Sequence, residues 1–217
     1  MDKPVIKFCG VQSLTDLNVV CHSIADYIGF IFAESKRKVD PESVAEWLKE
    51  VETTKKAVAV FVNPTDEEIE DVLKHVPVDV IQFHGNESIE QISRIRHSFN
   101  GLIWKALHHH GKTIEEMEQY KPIVDGFVID SRIKGQWGGT GVSFDWKAVP
   151  KYIDFAKQHN KLCFIAGGVN ERNISELLLF KPQGIDLSSG IEIDQKKSIE
   201  KIQLIEERVF QNVNISR

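Results

Sequence analysis

Residues Val124–Gly141 read VDGFVIDSRIKGQWGGTG. The opening run, Gly126-Phe-Val-Ile, is apolar and short enough for a buried strand. It ends in an acid, Asp130, and continues into a loop carrying Gly135, Gly138, Gly139 and Gly141. An acid at the carboxyl end of a buried strand, ahead of a glycine-rich turn, is a common way to build a catalytic rim in α/β proteins. Alone, the same residues also fit a capped turn in which glycine merely permits tight bends. The rest of the chain decides between the two.

Similar runs recur at Val5–Cys9, Tyr27–Phe32, Ala57–Val62, Val78–His84, Leu102–Leu107, Leu162–Ala166 and Gly184–Leu187. They are rich in Val, Ile and Phe, as parallel strands buried on both faces tend to be. Helix signals separate them. Ser13 precedes LTDLNVVCHSIA, and Pro41 takes a first helical position before ESVAEWLKEV. Thr65 and Glu68 have the spacing of a capping box, and Thr113 and Glu116 repeat it. Glu87 or Ser88 opens IEQISRIRHSF, Asp145 opens WKAVPKYIDFAKQH, and Asn170 opens ERNISELLLF. A last helix is expected from about Ser198 to Val209, with Gln211–Arg217 as a loose tail. Regular alternation without a linker or composition break predicts one α/β domain over residues 1–217, a single (β/α)8 TIM barrel.

Composition narrows the function classes. The 217 residues are 41% hydrophobic and 27% charged, ordinary for a soluble globular chain. A net charge of -5 gives no basic stripe for nucleic acid. No run approaches a membrane span, and the first residues, MDKPVIKFCG, lack the apolar segment of a secretory signal. Cys9, Cys21 and Cys163 are widely spaced without a CxxC pair, against a disulfide framework or a zinc site. A reducing, cytoplasmic setting fits best, with no metal and no cofactor expected. Whether the chain is a monomer or a homodimer is not readable from sequence.

In a barrel of this kind the chemistry lies at the carboxyl ends of the strands. Those ends offer Cys9-Gly10, the Glu34–Lys38 loop, Asn63, Gln82-Phe-His84, His108–His110, Asp130, Gly167-Gly168 and Ser188-Ser189-Gly190. Alternation puts Cys9 on one face with Lys7, His84 with Gln82, and Ser188 with Asp186. Polar groups inside apolar strands are costly unless paired or used, and Lys7 with Asp186 would make such a pair. Gly167 and Gly168 after strand 7, with Ser189 and Gly190 after strand 8, fall where barrels bind phosphate. A helix start beyond strand 8 would aim N–H groups at the anion, with Gly139 and Gly141 as further donors. Arg37 has the planar fork that grips a carboxylate. The three histidines are consecutive and lack nearby acids, so a solvated loop is expected there. Cys21 and Cys163 fall inside elements and read as core residues.

These stretches carry a family resemblance. Lys7-Phe-Cys-Gly10, Gly29–Arg37, Val60-Phe-Val-Asn63, Gln82-Phe-His-Gly85, Ile129-Asp-Ser131, Gly138–Trp146, Ala166–Asn170 and Gly184–Glu192 resemble the successive motifs of phosphoribosylanthranilate isomerases. The resemblance covers essentially the whole chain in order. It implies an Amadori rearrangement in tryptophan biosynthesis, an aldose-to-ketose isomerisation. Asp130 would be the general acid that opens the furanose ring, and Cys9 the base that removes the C2′ proton. Arg37 would hold the anthranilate carboxylate, Gly167, Gly168, Ser189 and Gly190 would line the phosphate site, and Asp186 would support the sugar or orient Cys9. This division needs Asp130 protonated and Cys9 ionised as the cycle starts, and a cation such as Lys7 would lower the thiol's pKa. The family often carries an acid after the strand 4 His-Gly, where this chain has Asn86 and then Glu87. Indole-3-glycerol-phosphate synthase, a related barrel, has an extra segment before strand 1, whereas here strand 1 begins by residue 5. A non-catalytic phosphate-metabolite-binding barrel is the alternative of a different class.

Overall fold

In every one of the short runs both alternating sets of side chains are apolar or buried, so each strand needs cover on both faces. A closed parallel sheet wrapped by helices supplies it. The computed structural model, which describes residues 3–131 and 143–215, has that form. Strands β1 (Val5–Cys9), β2 (Tyr27–Ile31), β3 (Lys56–Phe61), β4 (Val80–Phe83), β5 (Leu102–His108), β6 (Gly126–Asp130), β7 (Leu162–Ile165) and β8 (Gly184–Leu187) pair in sequence order. β8 returns in parallel to β1 and closes the barrel. Around it lie α1 (Leu14–Cys21), α2 (Pro41–Glu50), α3 (Asp66–His75), α4 (Ile89–Ser98), α5 (Thr113–Tyr120), α6 (Val149–Gln158), α7 (Ile174–Leu179) and α8 (Ile199–Ile215).

Most helix starts form as their capping residues dictate. Ser13, Asp40 and Ser88 each accept a hydrogen bond from a backbone N–H in the first turn, and Thr65 and Glu68 form the reciprocal capping box. Three expectations are corrected. Thr113 caps nothing: its hydroxyl is held by the His108 and His110 carbonyls and accepts from the His110 N–H. Asn170 opens a turn, with α7 starting only at Ile174. α8 continues past Val209 to Ile215, so the expected tail begins inside a helix.

Two apolar layers result. The outer one, between sheet and helices, contains Ile6, Phe8, Phe30, Phe61, Phe83 and Phe127. The inner one fills the barrel with Tyr27, Val58, Val80, Trp104, Val128 and Phe164. Trp104 is its hub, with ring centroids 4.8 Å from Tyr27 and 4.7 Å from Phe164. These rings fit because Gly126 and Gly184 leave room: a Cβ at Gly184 would stand 2.5 Å from the Phe164 ring. The barrel centre is therefore packed.

Candidate active site

A cavity of about 480 Å³ opens at the carboxyl ends of the strands, within the size range of small-molecule sites. Strand alternation carries Cys9, Gln82, His84, Asp130 and Asp186 into it. Gln82 Oε1 and Asp186 Oδ1 are buried there without a hydrogen-bond partner among the described residues.

Lys7 and Asp186 are direct register partners across β1 and β8, and the Lys7 ammonium donates to Asp186 Oδ2 at 2.8 Å. Burial pushes the Lys7 pKa down, but Asp186 and the neighbouring Cys9 more than reverse this and leave it above its usual value. Cys9 sits two residues further along β1, seven percent exposed. Its side chain fits because β2 carries Gly29, where a Cβ would lie 2.7 Å from the sulfur. Burial pushes the thiol pKa up, Lys7 and Lys197 pull it down and Asp186 opposes them, and the net direction is up. The expected effect of Lys7 is thus present in sign but outweighed by desolvation.

Asp130 ends β6, almost fully buried. Its Oδ1 accepts the Ser131 N–H at 2.7 Å, which leaves Oδ2 facing His84 Nε2 at 3.3 Å. Gly167, with a left-handed φ of 82°, packs against the same carboxylate: a Cβ there would come within 2.6 Å of Asp130 Oδ1.

Arg37 is buried, and its fork is already engaged. Nε and Nη2 donate to the two oxygens of Glu192 at 2.8 and 2.7 Å, a bidentate pair. A guanidinium has five N–H groups, so three remain without a partner among the described residues, on a side chain that lines the cavity. Lys197 completes the cluster, donating to Glu192 Oε1 at 2.7 Å and to the Cys9 carbonyl at 2.6 Å. Burial would raise the Glu192 pKa, but the hydrogen bond from Arg37 and the Lys197 charge hold it below the usual carboxylate range.

The expected phosphate loops fall on the cavity in part. Gly167, Gly168 and Ser189 line it, together with Ser188. Gly190 does not: a Cβ there would meet the Val169 carbonyl oxygen at 1.9 Å, so it serves close contact between the loops after β7 and β8. Beyond β8 the chain forms one 3-10 turn, Ser189–Ile191, and a two-stranded hairpin of β9 (Glu192–Ile193) and β10 (Lys196–Lys197) before α8. The expected helix start beyond β8 is thus a single 3-10 turn. Gly139 and Gly141 lie outside the described residues.

Other expectations are refined. The histidines are not simply solvated: His109 stacks on Phe144 and shares a 2.8 Å hydrogen bond with the Tyr152 hydroxyl. An acid is also nearby, since His110 Nε2 lies 3.1 Å from Glu116 Oε2. The acid after His84-Gly85 is structural: Glu87 is buried, accepts the Asn63 and Gly85 N–H groups, and pairs with Lys105 at 3.0 Å. Sequence reasoning assigned no role to Glu192, Lys197 or Lys105. Lys105 had a legible signal, a lone cation on the outward face of an apolar strand. Glu192 and Lys197 meet through a tight hairpin whose turn, Asp194-Gln195, has positive φ at both residues and lacks the usual glycine at the second. Among the described residues no group of three or more His, Cys, Asp and Glu side chains is placed to hold a metal ion, and no helix is long and apolar enough to cross a membrane.

Comparison with known proteins gives a consistent result. Residues 6–208 match the family model described as N-(5'phosphoribosyl)anthranilate (PRA) isomerase. The chain is 51% identical over 217 residues to the N-(5'-phosphoribosyl)anthranilate isomerase of Bacillus licheniformis, covering 100% of both chains. It superimposes on the crystal structure of phosphoribosyl anthranilate isomerase from Thermotoga maritima with a TM-score of 0.83 at 28% identity, over 96% of this chain and 99% of that one. A phosphoribosyl anthranilate isomerase in complex with reduced 1-(o-carboxyphenylamino)-1-deoxyribulose 5-phosphate matches with a TM-score of 0.80 at 27% identity, again over 96% and 99%.

Proposed function

The chain belongs to the N-(5'-phosphoribosyl)anthranilate isomerase family, and from that premise we propose that Asp130 and Cys9 are the acid and base of its reaction. The reaction is the Amadori rearrangement of N-(5'-phosphoribosyl)anthranilate to 1-(2-carboxyphenylamino)-1-deoxyribulose 5-phosphate, a step of tryptophan biosynthesis. Asp130 gives its proton to the furanose ring oxygen as the C1′–O bond breaks, and the anilino nitrogen forms a Schiff base with C1′. Cys9 takes the C2′ proton, whose electrons become the C1′–C2′ double bond of an enolamine. Ketonisation puts a proton on C1′ and removes one from the C2′ hydroxyl, so atoms and charge balance without an oxidant.

The observation that carries this reading is that both groups are buried on the wall of one cavity, on strands separated by β7 and β8. Burial pushes the thiol pKa up, and a weaker acid has the stronger conjugate base, which suits removal of a carbon-bound proton. Arg37 holds the anthranilate carboxylate, Gly167, Gly168 and Ser189 the phosphate, and Asp186 the sugar beside Cys9. Gly139 and Gly141 are assigned as further donors to the ligand. The unpaired thiols support a reducing, cytoplasmic setting, which keeps Cys9 available as a base.

The test is the loss of anthranilate-type fluorescence on mixing with fresh phosphoribosylanthranilate, with spontaneous hydrolysis subtracted. Cys9→Ala and Asp130→Asn should each lower kcat by about 10²- to 10⁴-fold, the usual worth of a positioned acid or base. A variant that keeps wild-type kcat would remove that residue from the assignment. An inactive wild type that binds the phosphorylated ligand would support a metabolite-binding role instead.

A further inference from the structure

We propose that Glu192, anchored by Lys197, is a positioning residue that aims Arg37 and thereby sets selectivity for the substrate's aromatic carboxylate. The inference rests on the reading of Arg37 as the carboxylate grip.

Arg37 belongs to the loop after β2, and its side chain crosses over the end of β1. A Cβ at Gly10 would lie 2.5 Å from Arg37 Cδ and 3.4 Å from Nε, so only glycine admits this path. Gly10 itself has a φ of 75°, a second reason for glycine there. The stem is thus guided toward Cys9, but a flexible side chain still needs its head fixed. Glu192 does this with two parallel hydrogen bonds to Nε and Nη2. That geometry fixes both the place and the plane of the guanidinium, and so where its remaining donors point.

Glu192 is fixed in turn. The Lys197 ammonium bonds Glu192 Oε1 and reaches the Cys9 carbonyl, and the Lys197 N–H donates to Asp16 Oδ1 at 2.9 Å. Asp16 also accepts the Gln12 N–H at 3.3 Å, so the β9–β10 hairpin is tied to the loop after β1. The Gln12 side chain adds a hydrogen bond to the Gln195 carbonyl at the hairpin turn. Arg37, Glu192 and Lys197 are all buried, with two cations sharing one carboxylate. An anion arriving at the free edge of Arg37 meets this surplus positive charge without displacing Glu192. Binding then needs little reorganisation, which is how a preset donor strengthens a charged contact.

The test measures Kd for two ligands: the reduced carboxyphenylamino deoxyribulose phosphate, and its phenylamino counterpart lacking the carboxyl group. Wild type, Arg37→Ala, Glu192→Gln and Arg37→Ala/Glu192→Gln are compared. Glu192→Gln should weaken the carboxylated ligand roughly 10- to 100-fold, the range for a lost hydrogen bond to a charged group, and leave the other within about twofold. Added to Arg37→Ala it should cause no further loss of discrimination. Equal weakening of both ligands by Glu192→Gln would overturn the proposal, since that is the mark of a merely structural role. If wild type does not discriminate between the ligands, the reading of Arg37 itself fails. Should Glu192→Gln not fold, Lys197→Met provides the same comparison, and unchanged discrimination there would sink the idea equally.

Discussion

Lys7 and Asp186, 179 residues apart in sequence, are register partners across the closing seam of the barrel and form an ion pair at 2.8 Å. The pair stands beside the thiol, so it acts on both stability and reactivity.

Lys7→Met should shift Cys9 toward the thiol. Lys7 is the main cation drawing the thiol pKa down, so its loss adds to the upward push of burial. The rate of Cys9 alkylation at neutral pH should fall, and its inflection should move to higher pH. An unchanged pH profile, read by mass spectrometry of iodoacetamide-treated protein, would refute the coupling. The variant also leaves Asp186 buried and unpaired, at a cost of about 3–5 kcal/mol.

Gly29→Ala tests the space behind Cys9. The added methyl would lie 2.7 Å from Sγ and 3.2 Å from the Cys9 Cα, so the thiol must move. Overpacking of this kind costs about 1–3 kcal/mol, and a misplaced catalytic group can cost about 10²-fold in rate. Steady-state kinetics should show kcat falling by about that factor while the far-ultraviolet circular dichroism stays native. Wild-type turnover would mean that β1 and β2 yield without disturbing the base.

Lys105→Met should destabilise the fold through the loop that presents His84. Lys105 donates to the Phe83, Gly85 and Ala106 carbonyls as well as to Glu87. Removing it leaves a buried carboxylate, for a loss of about 3–5 kcal/mol. At about 2–4 °C per kcal/mol for a chain of this size, Tm should drop by roughly 6–20 °C in a calorimetric scan. A drop of less than about 2 °C would show that the pair is not coupled to folding.

Local chemistry made much of this protein legible before any coordinates. The strand runs are continuous and apolar because both faces are buried, so each was found to within about two residues. Ser13, Thr65 and Ser88 cap where their hydroxyl groups predict. Cys9, Asp130 and Asp186 were readable as inward polar groups at the rim because alternation along a strand is a local rule.

Tertiary structure decided what depends on contacts between distant segments. The Cys9 pKa direction is a balance between burial and three charges, two of them, Asp186 and Lys197, more than 170 positions away. Arg37 looked like a free fork in sequence, and only folding brings Glu192 against it from across 155 residues. Lys105 stands out in sequence as a lone cation in an apolar strand, but that Glu87 is its partner shows only in the fold. The sequence by itself determined the barrel, because periodicity and capping act over a few residues. The electrostatic state of the site was decided only in the closed fold, because burial and pairing do not exist until the strands meet.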